Sequence, residues 1–410
     1  MSVAVRPSAL LSRTAGFAAA SAALVLVFVS AGSPVPLYNT YRAEDGLTNA
    51  DLGVATAVYL VAAAVSLLVL GRLSDHLGRR PVGIGALAGS ALGLVVLLGV
   101  DGLAPLAAGR ALQGLSTGLA SSALGAFAVD CAPPHPRWLP AVVTSAAPML
   151  GIPLGALASG ALVDHGPAPR HLGYAVVIAL LVAAAVLLAL SPETVPRTTV
   201  RRAAASLRPR VHVPAGAGRP LLAVAGVVLA TWSLGGFYQA FGPSIAADQL
   251  GSRASLTAAA VFSSFTLFSV LGGPLTARFR PERAVRVAVV LYAVCVAGIL
   301  LALRAGEVVP FLAVSLVAGV VQGAAQTGGM RTLLVRAGPA DRAGLLSTVF
   351  LLNYSCAAVP SLVAGRLTGT STMLQIACGY GVLVLVGVLL AVVLSRPAAP
   401  VPTGSALGER

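Results

Sequence analysis

The sequence predicts an all-α integral membrane protein with twelve transmembrane helices in two pseudo-symmetric halves of six. The chain of 410 residues is 57% hydrophobic and only 10% charged. Apolar runs long enough to cross a bilayer recur along it, and arginine is concentrated in every second connection between them. A soluble domain carries roughly 25% charged residues, so lipid is the expected solvent for most of this chain.

The apolar runs are predicted to be helices. A bilayer core needs about 20 apolar residues per helical span, and only helices or closed barrels bond all their backbone groups in lipid. These runs do not alternate in polarity, which favours helices. The first is longer than the roughly 7–15 apolar residues of a signal peptide, so we interpret it as a span. The predicted spans are about 14–36, 50–70, 81–100, 103–128, 139–163, 171–190, 220–243, 254–276, 284–303, 308–332, 343–366 and 371–394.

The positive charge is distributed unevenly between alternate connections. The net charge is +14, and all of the basic residues other than histidine are arginine. One set of loops, those following the odd-numbered spans, holds only Arg42, Arg170, Arg253, Arg304 and Arg366. The tails and the other loops hold most of the rest, and such loops are typically cytoplasmic. We therefore expect both termini in the cytoplasm, a bacterial plasma (inner) membrane location and no nucleic-acid partner.

A polar stretch at 191–219, rich in proline and arginine, is predicted to link the two halves. The expected organisation is a cytoplasmic tail 1–13, a six-helix bundle 14–190, a cytoplasmic linker 191–219, a second bundle 220–394 and a cytoplasmic tail 395–410. Three features recur in the same order in both halves. They are GRLSDHLGRR (71–80) with GPLTARFRPER (273–283), Gln113 with Gln322, and Pro153 with Pro360. This echo indicates a duplicated six-helix unit.

Two motifs resemble those of the major facilitator superfamily of secondary transporters. They are the GRLSDHLGRR loop after span two and GRALQG (109–114), which contains Gln113, in span four. The resemblance covers nearly the whole chain. It implies two halves that rock about a central site, a small-molecule substrate, no enzymatic activity and no cofactor. It also implies that the loop is a latch whose Asp contacts the start of span eleven when the cytoplasmic side is closed. The expected latch residues are Gly71, Asp75, Gly78, Arg79, Arg80 and Arg342. The alternative is a membrane anchor with an incidental Asp.

Arg110 lies inside predicted span four, where a charge costs about 2.5–3.5 kcal/mol on insertion scales. We interpret it as a buried cation that faces the pathway beside Gln113, and the resemblance links it to proton transfer or substrate binding. The alternative is that its side chain extends to the outer interface. No acid lies in the middle of a predicted span. Protons as the coupling ion therefore rest on the resemblance, with Arg110, Asp51 and Asp75 as the coupling candidates.

Two glycine-rich segments invite comparison with known motifs. GLSTG (114–118) matches the serine-hydrolase pattern, but no histidine lies in a predicted span to act as base. We predict a packing face formed by Gly114 and Gly118 instead. The expected kink and packing positions of span five are Pro148, Gly151, Pro153 and Gly155. They resemble the G-P-x-x-G-G motif of the drug/proton antiporter branch, with departures at Ile152 and Ala156. The alternative is a generic interface helix. The scattered cysteines indicate neither a disulfide nor a metal site.

Polar and aromatic residues inside spans are the candidates for a substrate cavity. They are Tyr38, Asn39, Tyr59, Gln113, Trp232, Tyr238, Gln239, Gln322, Gln326, Asn353 and Tyr354. Amides rarely face lipid, although hydrogen bonding between helices is an equal alternative. We predict a monomeric transporter that exports drug-like or amphipathic compounds in exchange for protons. The alternatives are a sugar or metabolite facilitator and, less favoured, a transporter-like sensor.

Overall fold

The computed structural model describes residues 10–196, 198–209, 213, 217–335 and 341–395. The side chains of Val200, Arg342 and Ala343 are also outside the described set. Among the described residues, twelve helices are long and apolar enough to cross a membrane. All regular secondary structure in the same ranges is helical, which confirms the predicted fold class of twelve spans. The predicted tails lie almost entirely outside the described residues.

The twelve spans follow the predicted order, with some longer ends. Their bounds are Arg13–Glu44, Asn49–Leu70, Arg79–Leu98, Leu103–Cys131, Leu139–His165, Leu172–Leu190, Gly218–Asp248, Ser255–Thr276, Pro281–Ala305, Val308–Leu334, Gly344–Leu367 and Met373–Leu394. We number them one to twelve. The loops after even-numbered spans, including the segment 191–219, mark one end of the molecule, which we call the linker face. The other end is the opposite face.

The two halves have separate hydrophobic cores. One core runs from Phe17 to Leu188 and packs the six spans of the first half. The other is built mainly from side chains between Val227 and Ala391, with Val35 and Ala156 of the first half buried in it and Ile152 and Leu157 packed against it. Between the halves, span two packs along span eleven and span five along span eight. A short helix, Val200–Ser206, lies in the segment 191–219.

Three spans depart from regular α-helix inside the bundle. Span one passes through a 3₁₀ turn at Val35–Leu37 and continues as a helix to Glu44. Span two ends in a π-helical turn at Ser66–Leu70. Span eight is interrupted between its helices Ser255–Ser264 and Gly272–Thr276. Such irregular turns are frequent at functional sites, and the interruption in span eight borders the central cavity.

Candidate functional site

A central cavity of about 210 Å³ lies between the two halves. Spans one, two and five form its first-half wall, and spans seven, eight, ten and eleven form its second-half wall. Its described lining residues carry no charged side chain. They are Phe28, Tyr59, Leu60, Pro148, Met149, Ile152, Thr231, Trp232, Gly235, Gly236, Gln239, Phe262, Phe265, Thr266, Ser269, Gln322, Gly323, Gln326, Tyr354 and Ala357.

The polar groups of the cavity are concentrated in the second half. Gln326 Nε2 donates a hydrogen bond to Thr231 Oγ1 at 3.0 Å. Trp232 Nε1, Thr266 Oγ1 and Gln322 Oε1 are buried with no hydrogen-bond partner among the described residues. An unpaired buried polar group costs about 1–3 kcal/mol, so a solute that pairs these atoms gains affinity. The wall is otherwise apolar and aromatic, with Trp232 packed edge-on against Tyr354 at 5.4 Å between ring centroids.

More than half of the predicted cavity residues line this cavity. They are Tyr59, Trp232, Gln239, Gln322, Gln326 and Tyr354. Sequence reasoning missed Thr231, Thr266 and Ser269, because it weighed intramembrane amides and gave little weight to hydroxyls. The signal that could have found them is their position. Thr231 precedes Trp232, and the other two hydroxyls lie in the polar interruption of span eight.

The remaining predicted cavity residues have other surroundings. Gln113 Nε2 donates to the Ser30 carbonyl oxygen at 2.7 Å, deep in the first half. The Tyr238 hydroxyl pairs with Ser315 Oγ at 2.6 Å in the second core. These two side chains are therefore structural hydrogen-bonding groups, and their assignment to the cavity was wrong.

Tyr38, Asn39 and Asn353 also lie outside the cavity lining. Tyr38 is fully buried in the first core, and Asn353 is 5% exposed. Asn39 Nδ2 donates to the Pro243 carbonyl oxygen at 2.7 Å across the halves. Asn39 therefore joins the halves at the opposite face, beyond the end of the cavity.

Arg110 is buried, with none of its surface exposed. Its Nη1 donates to the Ala31 carbonyl oxygen at 2.8 Å and to Gln113 Oε1 at 2.9 Å. Its guanidinium carbon lies 4.3 Å from the centre of the Tyr59 ring, a cation–π distance. Within the part of the chain that the structure describes, its Nε and Nη2 have no hydrogen-bond partner. The side chain therefore points into the bundle and does not extend to the outer interface.

Arg110 sits one layer behind the cavity wall. Tyr59 lines the cavity on one side and contacts the guanidinium on the other. Arg110 also bonds to a carbonyl of span one from within span four. Any change in its charge environment would act on spans one, two and four together. Direct contact between Arg110 and the cavity, as predicted, is not observed.

The loop 71–80 forms the centre of a polar network on the linker face. Arg79 Nη1 pairs with Asp75 at 2.5 Å and donates to Ser74 Oγ at 2.7 Å. Arg79 Nε lies 3.3 Å from Asp130 Oδ2 at the end of span four. This arrangement joins the loop to span four. The predicted contact of Asp75 with the start of span eleven stays a prediction, because the side chain of Arg342 lies outside the described residues.

Gly78 has a conformation that a side chain would strain. Its φ is +98°, and a Cβ atom there would lie 2.6 Å from Glu193 Oε2. The Glu193 carboxylate accepts from the backbone nitrogens of Arg79 and Arg80 at 2.9 and 3.1 Å, which caps span three. A glycine at 78 is therefore required both for the turn and for the approach of this cap.

The same loop also holds the segment that connects the halves. Arg72 Nη2 donates to the carbonyl oxygens of Ser206 and Arg208, at the end of the short helix. The His76 carbonyl oxygen accepts from the Thr198 backbone nitrogen at 2.7 Å. Gly71 ends the π-helical turn of span two. Of the predicted latch residues, Arg79 binds span four through Asp130, and Arg80 donates to the carbonyl oxygens of Ala189, at the end of span six, and Ser191.

At the opposite face, spans one and two meet span seven through polar contacts between the halves. These are Asn39 Nδ2 to the Pro243 carbonyl oxygen at 2.7 Å, Ser244 Oγ to Asn49 Oδ1 at 2.7 Å, and Arg42 to Asp248 at 3.0 Å. The predicted coupling candidate Asp51 caps its own helix through Thr48 and stays within the first half. The cavity is therefore closed toward the opposite face by bonds between the halves.

The glycines of spans four and five lie at close helix crossings. A Cβ at Gly118 would lie 2.6 Å from the Ala63 carbonyl oxygen of span two, and one at Gly114 would overlap the Tyr59 carbonyl oxygen. Gly151 and Gly155 approach the backbone of span one equally closely. The helix of span five continues through Pro148 and Pro153, and both prolines line or border the cavity.

Comparisons with known proteins agree with this architecture. The family model of the Major Facilitator Superfamily matches residues 20–359 of this chain. The inner membrane transport protein YajR of Escherichia coli (strain K12) is 32% identical over 137 residues, which are 32% of this chain and 28% of that relative.

Two solved structures share the fold. The nucleoside transporter NupG superposes with a TM-score of 0.66 at 14% identity, covering 93% of this chain and 98% of its own. The human organic anion transporter MFSD10 (TETRAN) superposes with a TM-score of 0.64 at 18% identity, covering 94% of this chain and 100% of its own. With twelve spans, two halves and a cavity between them, this chain is a multi-pass membrane transporter and belongs to the Major Facilitator Superfamily.

Proposed function

We propose that this protein exports small, uncharged, amphipathic solutes from the cytoplasm by alternating access, in exchange for protons. The observation that carries the proposal is the cavity between the halves. It is apolar and aromatic, it offers unpaired uncharged polar atoms, and its described lining has no charged side chain. Anionic substrates would call for buried cations in the wall, such as arginine.

The direction of transport rests on the distribution of arginine and on the closed opposite face. Arginine-rich loops are typically cytoplasmic, so the linker face is assigned to the cytoplasm of a bacterial plasma membrane, together with both termini. The contacts between the halves close the cavity toward the opposite face. We therefore take the cytoplasm or the inner leaflet as the side from which the solute is loaded.

Proton coupling rests on the family and on Arg110. The described cavity wall has no acid, whereas a buried guanidinium with two unpaired nitrogen atoms lies directly behind Tyr59. A buried group of this kind, placed against the wall of the site, is the expected place for a proton-linked change to reach the cavity. Everted vesicles with a collapsible pH gradient test the coupling, and transport that is indifferent to the gradient would refute it.

A second candidate is a facilitator for neutral polar metabolites such as sugars or nucleosides. Gln239, Gln322 and Gln326 favour it, because amides bind hydroxyl-rich solutes with both donors and acceptors. NupG, which shares the fold, is a nucleoside transporter. The two proposals differ in the expected ligand: competition by apolar aromatic compounds supports export of amphipathic solutes, and competition by sugars or nucleosides supports the facilitator.

Intrinsic fluorescence offers a direct binding assay, since the chain has only two tryptophans. Trp138 is 61% exposed at the start of span five, whereas Trp232 lines the cavity. In a Trp138→Phe protein, the emission of Trp232 alone reports on the cavity. We expect saturable quenching by compounds that the protein transports. Trp232→Ala should abolish their transport and Trp138→Ala should preserve it; transport that survives Trp232→Ala unchanged would refute the site.

A further inference from the structure

The opposite face holds a further contact between the halves, at the end of span five. Span five ends beside the start of span eight, which belongs to the other half. A Cβ at Gly160 would lie 2.8 Å from the Ser255 carbonyl oxygen and 2.9 Å from the Ala259 Cβ. Glycine at this position therefore lets the two helices approach closely. One turn further along span five lies Asp164.

Asp164 caps the N-terminus of span eight. Its Oδ1 accepts from the Ser255 backbone nitrogen at 2.9 Å, and its Oδ2 accepts from the Leu256 backbone nitrogen at 2.8 Å. Helix N-termini leave their first backbone N–H groups without partners inside the helix and carry a partial positive charge. A carboxylate that accepts two such bonds is a strong, oriented contact.

Span eight has no cap of its own. The residue before its first turn is Ala254, whose side chain makes no capping hydrogen bond. By contrast, spans two and twelve on the same face are capped by side chains from within their own halves, at Thr48 and Thr372. The cap of span eight comes across the boundary between halves and is lost when the halves separate.

A second charged contact joins the halves at this face, between Arg42 and Asp248. Arg42 and Asp248 are 26% and 39% exposed, and exposed pairs contribute little because water and salt screen them. The two bonds of Asp164 depend on backbone donors that are fixed by the helix. Asp164 is itself exposed, so its cap differs from the Arg42–Asp248 pair in the orientation of its two backbone donors and not in burial.

We propose that Asp164 is a positioning residue that holds the opposite face closed by capping span eight from the other half. The inference rests on the alternating-access cycle proposed above. Opening of this face would break both bonds, so the cap stabilises only the state with the face closed. Spans two and five are equivalent in the inverted repeats of this fold, as are spans eleven and eight. Asp164 thus occupies a position at the opposite face that is equivalent to the position of the latch loop at the linker face.

Amide hydrogen exchange of the full-length protein tests this without any substrate. Asp164→Asn removes the charge and one acceptor oxygen, which should raise the population with the opposite face open by about tenfold. Exchange should then accelerate at residues 39–49 and 244–250, which do not contact Asp164. Exchange should slow at the loop 71–80, because the linker face closes as the opposite face opens. Gln375→Ala, which removes a cap inside the second half, is the matched control and should change neither region.

The outcomes separate a gate from a local cap. Acceleration confined to the first turn of span eight, with 39–49 and 71–80 unchanged, would overturn the proposal. Asp164→Glu keeps the carboxylate and should shift exchange less than Asp164→Asn; equal shifts would also overturn it. Opposite changes at the two faces support it even if no exported compound is found, so its failure is distinguishable from failure of the proposed function.

Discussion

Gly53 lies where spans two and eleven cross between the halves. A Cβ at this position would lie 2.9 Å from the Ser361 carbonyl oxygen and 3.1 Å from the Gly365 Cα, whereas ordinary contacts begin at 3.4 Å. The neighbours are backbone atoms, so they cannot rotate away as a flexible side chain would. Gly53→Ala therefore forces the two helices apart by about half an ångström whenever the opposite face is closed.

The cost of this overlap falls on one state of the transporter. Overpacking costs about 1–3 kcal/mol, and the cost disappears when the opposite face opens and the helices part. About 1.4 kcal/mol changes an equilibrium tenfold, so the ratio of closed to open should fall by about tenfold or more. Alanine also stabilises a helix by about 1 kcal/mol relative to glycine, but that gain is the same in both states.

Pulsed EPR distances between labels at Pro167 and Thr370, on loops of different halves, measure this ratio. The four native cysteines are replaced first, and transport by that background is verified. We expect Gly53→Ala to add a population at longer distance. Gly85→Ala is the matched control, because a Cβ at Gly85 meets no atom within 4 Å. A Gly53→Ala distribution that matches those of the parent and of Gly85→Ala would refute the reasoning.

Three further predictions concern single positions. Gly78→Ala should lower stability by about 1–2 kcal/mol through strain at φ +98° and the clash with Glu193; an unfolding temperature equal to that of Gly85→Ala would contradict this. Arg110→Gln should leave the protein folded but reduce transport in vesicles at least about tenfold, and undiminished transport would remove Arg110 from the mechanism. Arg170→Ala should cost about 1 kcal/mol, since Arg170 bonds to Glu44, which is 56% exposed, and to Asp45, which is 11% exposed; the loss should shrink at high salt, and a loss independent of salt would point to packing instead.

The spans could be predicted from the sequence because lipid imposes one length and one composition on every helix that crosses it. The ends of the spans were harder to predict where proline occurs. Span one was predicted to end near residue 36, yet a 3₁₀ turn carries the chain past Pro34 and Pro36 to Glu44. Pro243 lies inside span seven, which continues to Asp248. Proline at the first turn of a new helical segment is tolerated, and sequence alone does not show which case applies.

Helical spacing separates the predicted residues that line the cavity from a neighbour that does not. Gln322 and Gln326 lie one turn apart and both line the cavity. Trp232 and Gln239, two turns apart on span seven, also both line it. Tyr238 is adjacent to Gln239 and therefore points about 100° away around the helix, into the second core. Adjacency along a helix alone therefore does not decide which residues line the cavity.

Asp164 could not be recognised from its own surroundings in the sequence, because its partners are backbone nitrogens about ninety residues later. The signal was available only through the fold. An acid at the end of span five faces the start of span eight once spans two and five are treated as equivalents. The sequence argument assigned a role to the acid after span two and did not ask the same question of span five.

The donor side of the Asp164 cap can be tested by a substitution that removes a bond and keeps the helix. Ser255 is the first residue of its helix, and Ala254 before it is extended at φ −66° and ψ 131°. Proline is favoured at such a first position and requires an extended residue before it. Ser255→Pro should therefore preserve the start of span eight while deleting the N–H that Asp164 Oδ1 accepts.

If the bond between Asp164 and Ser255 holds the face closed, each single substitution opens it and the double substitution adds little to Asp164→Asn. Independent roles would instead give additive shifts, since effects of residues in contact are additive only when the residues do not interact. Hydrogen exchange at residues 39–49 is measured in the two single variants and in the double variant. Additive shifts would show that Asp164 acts through something other than the cap of span eight.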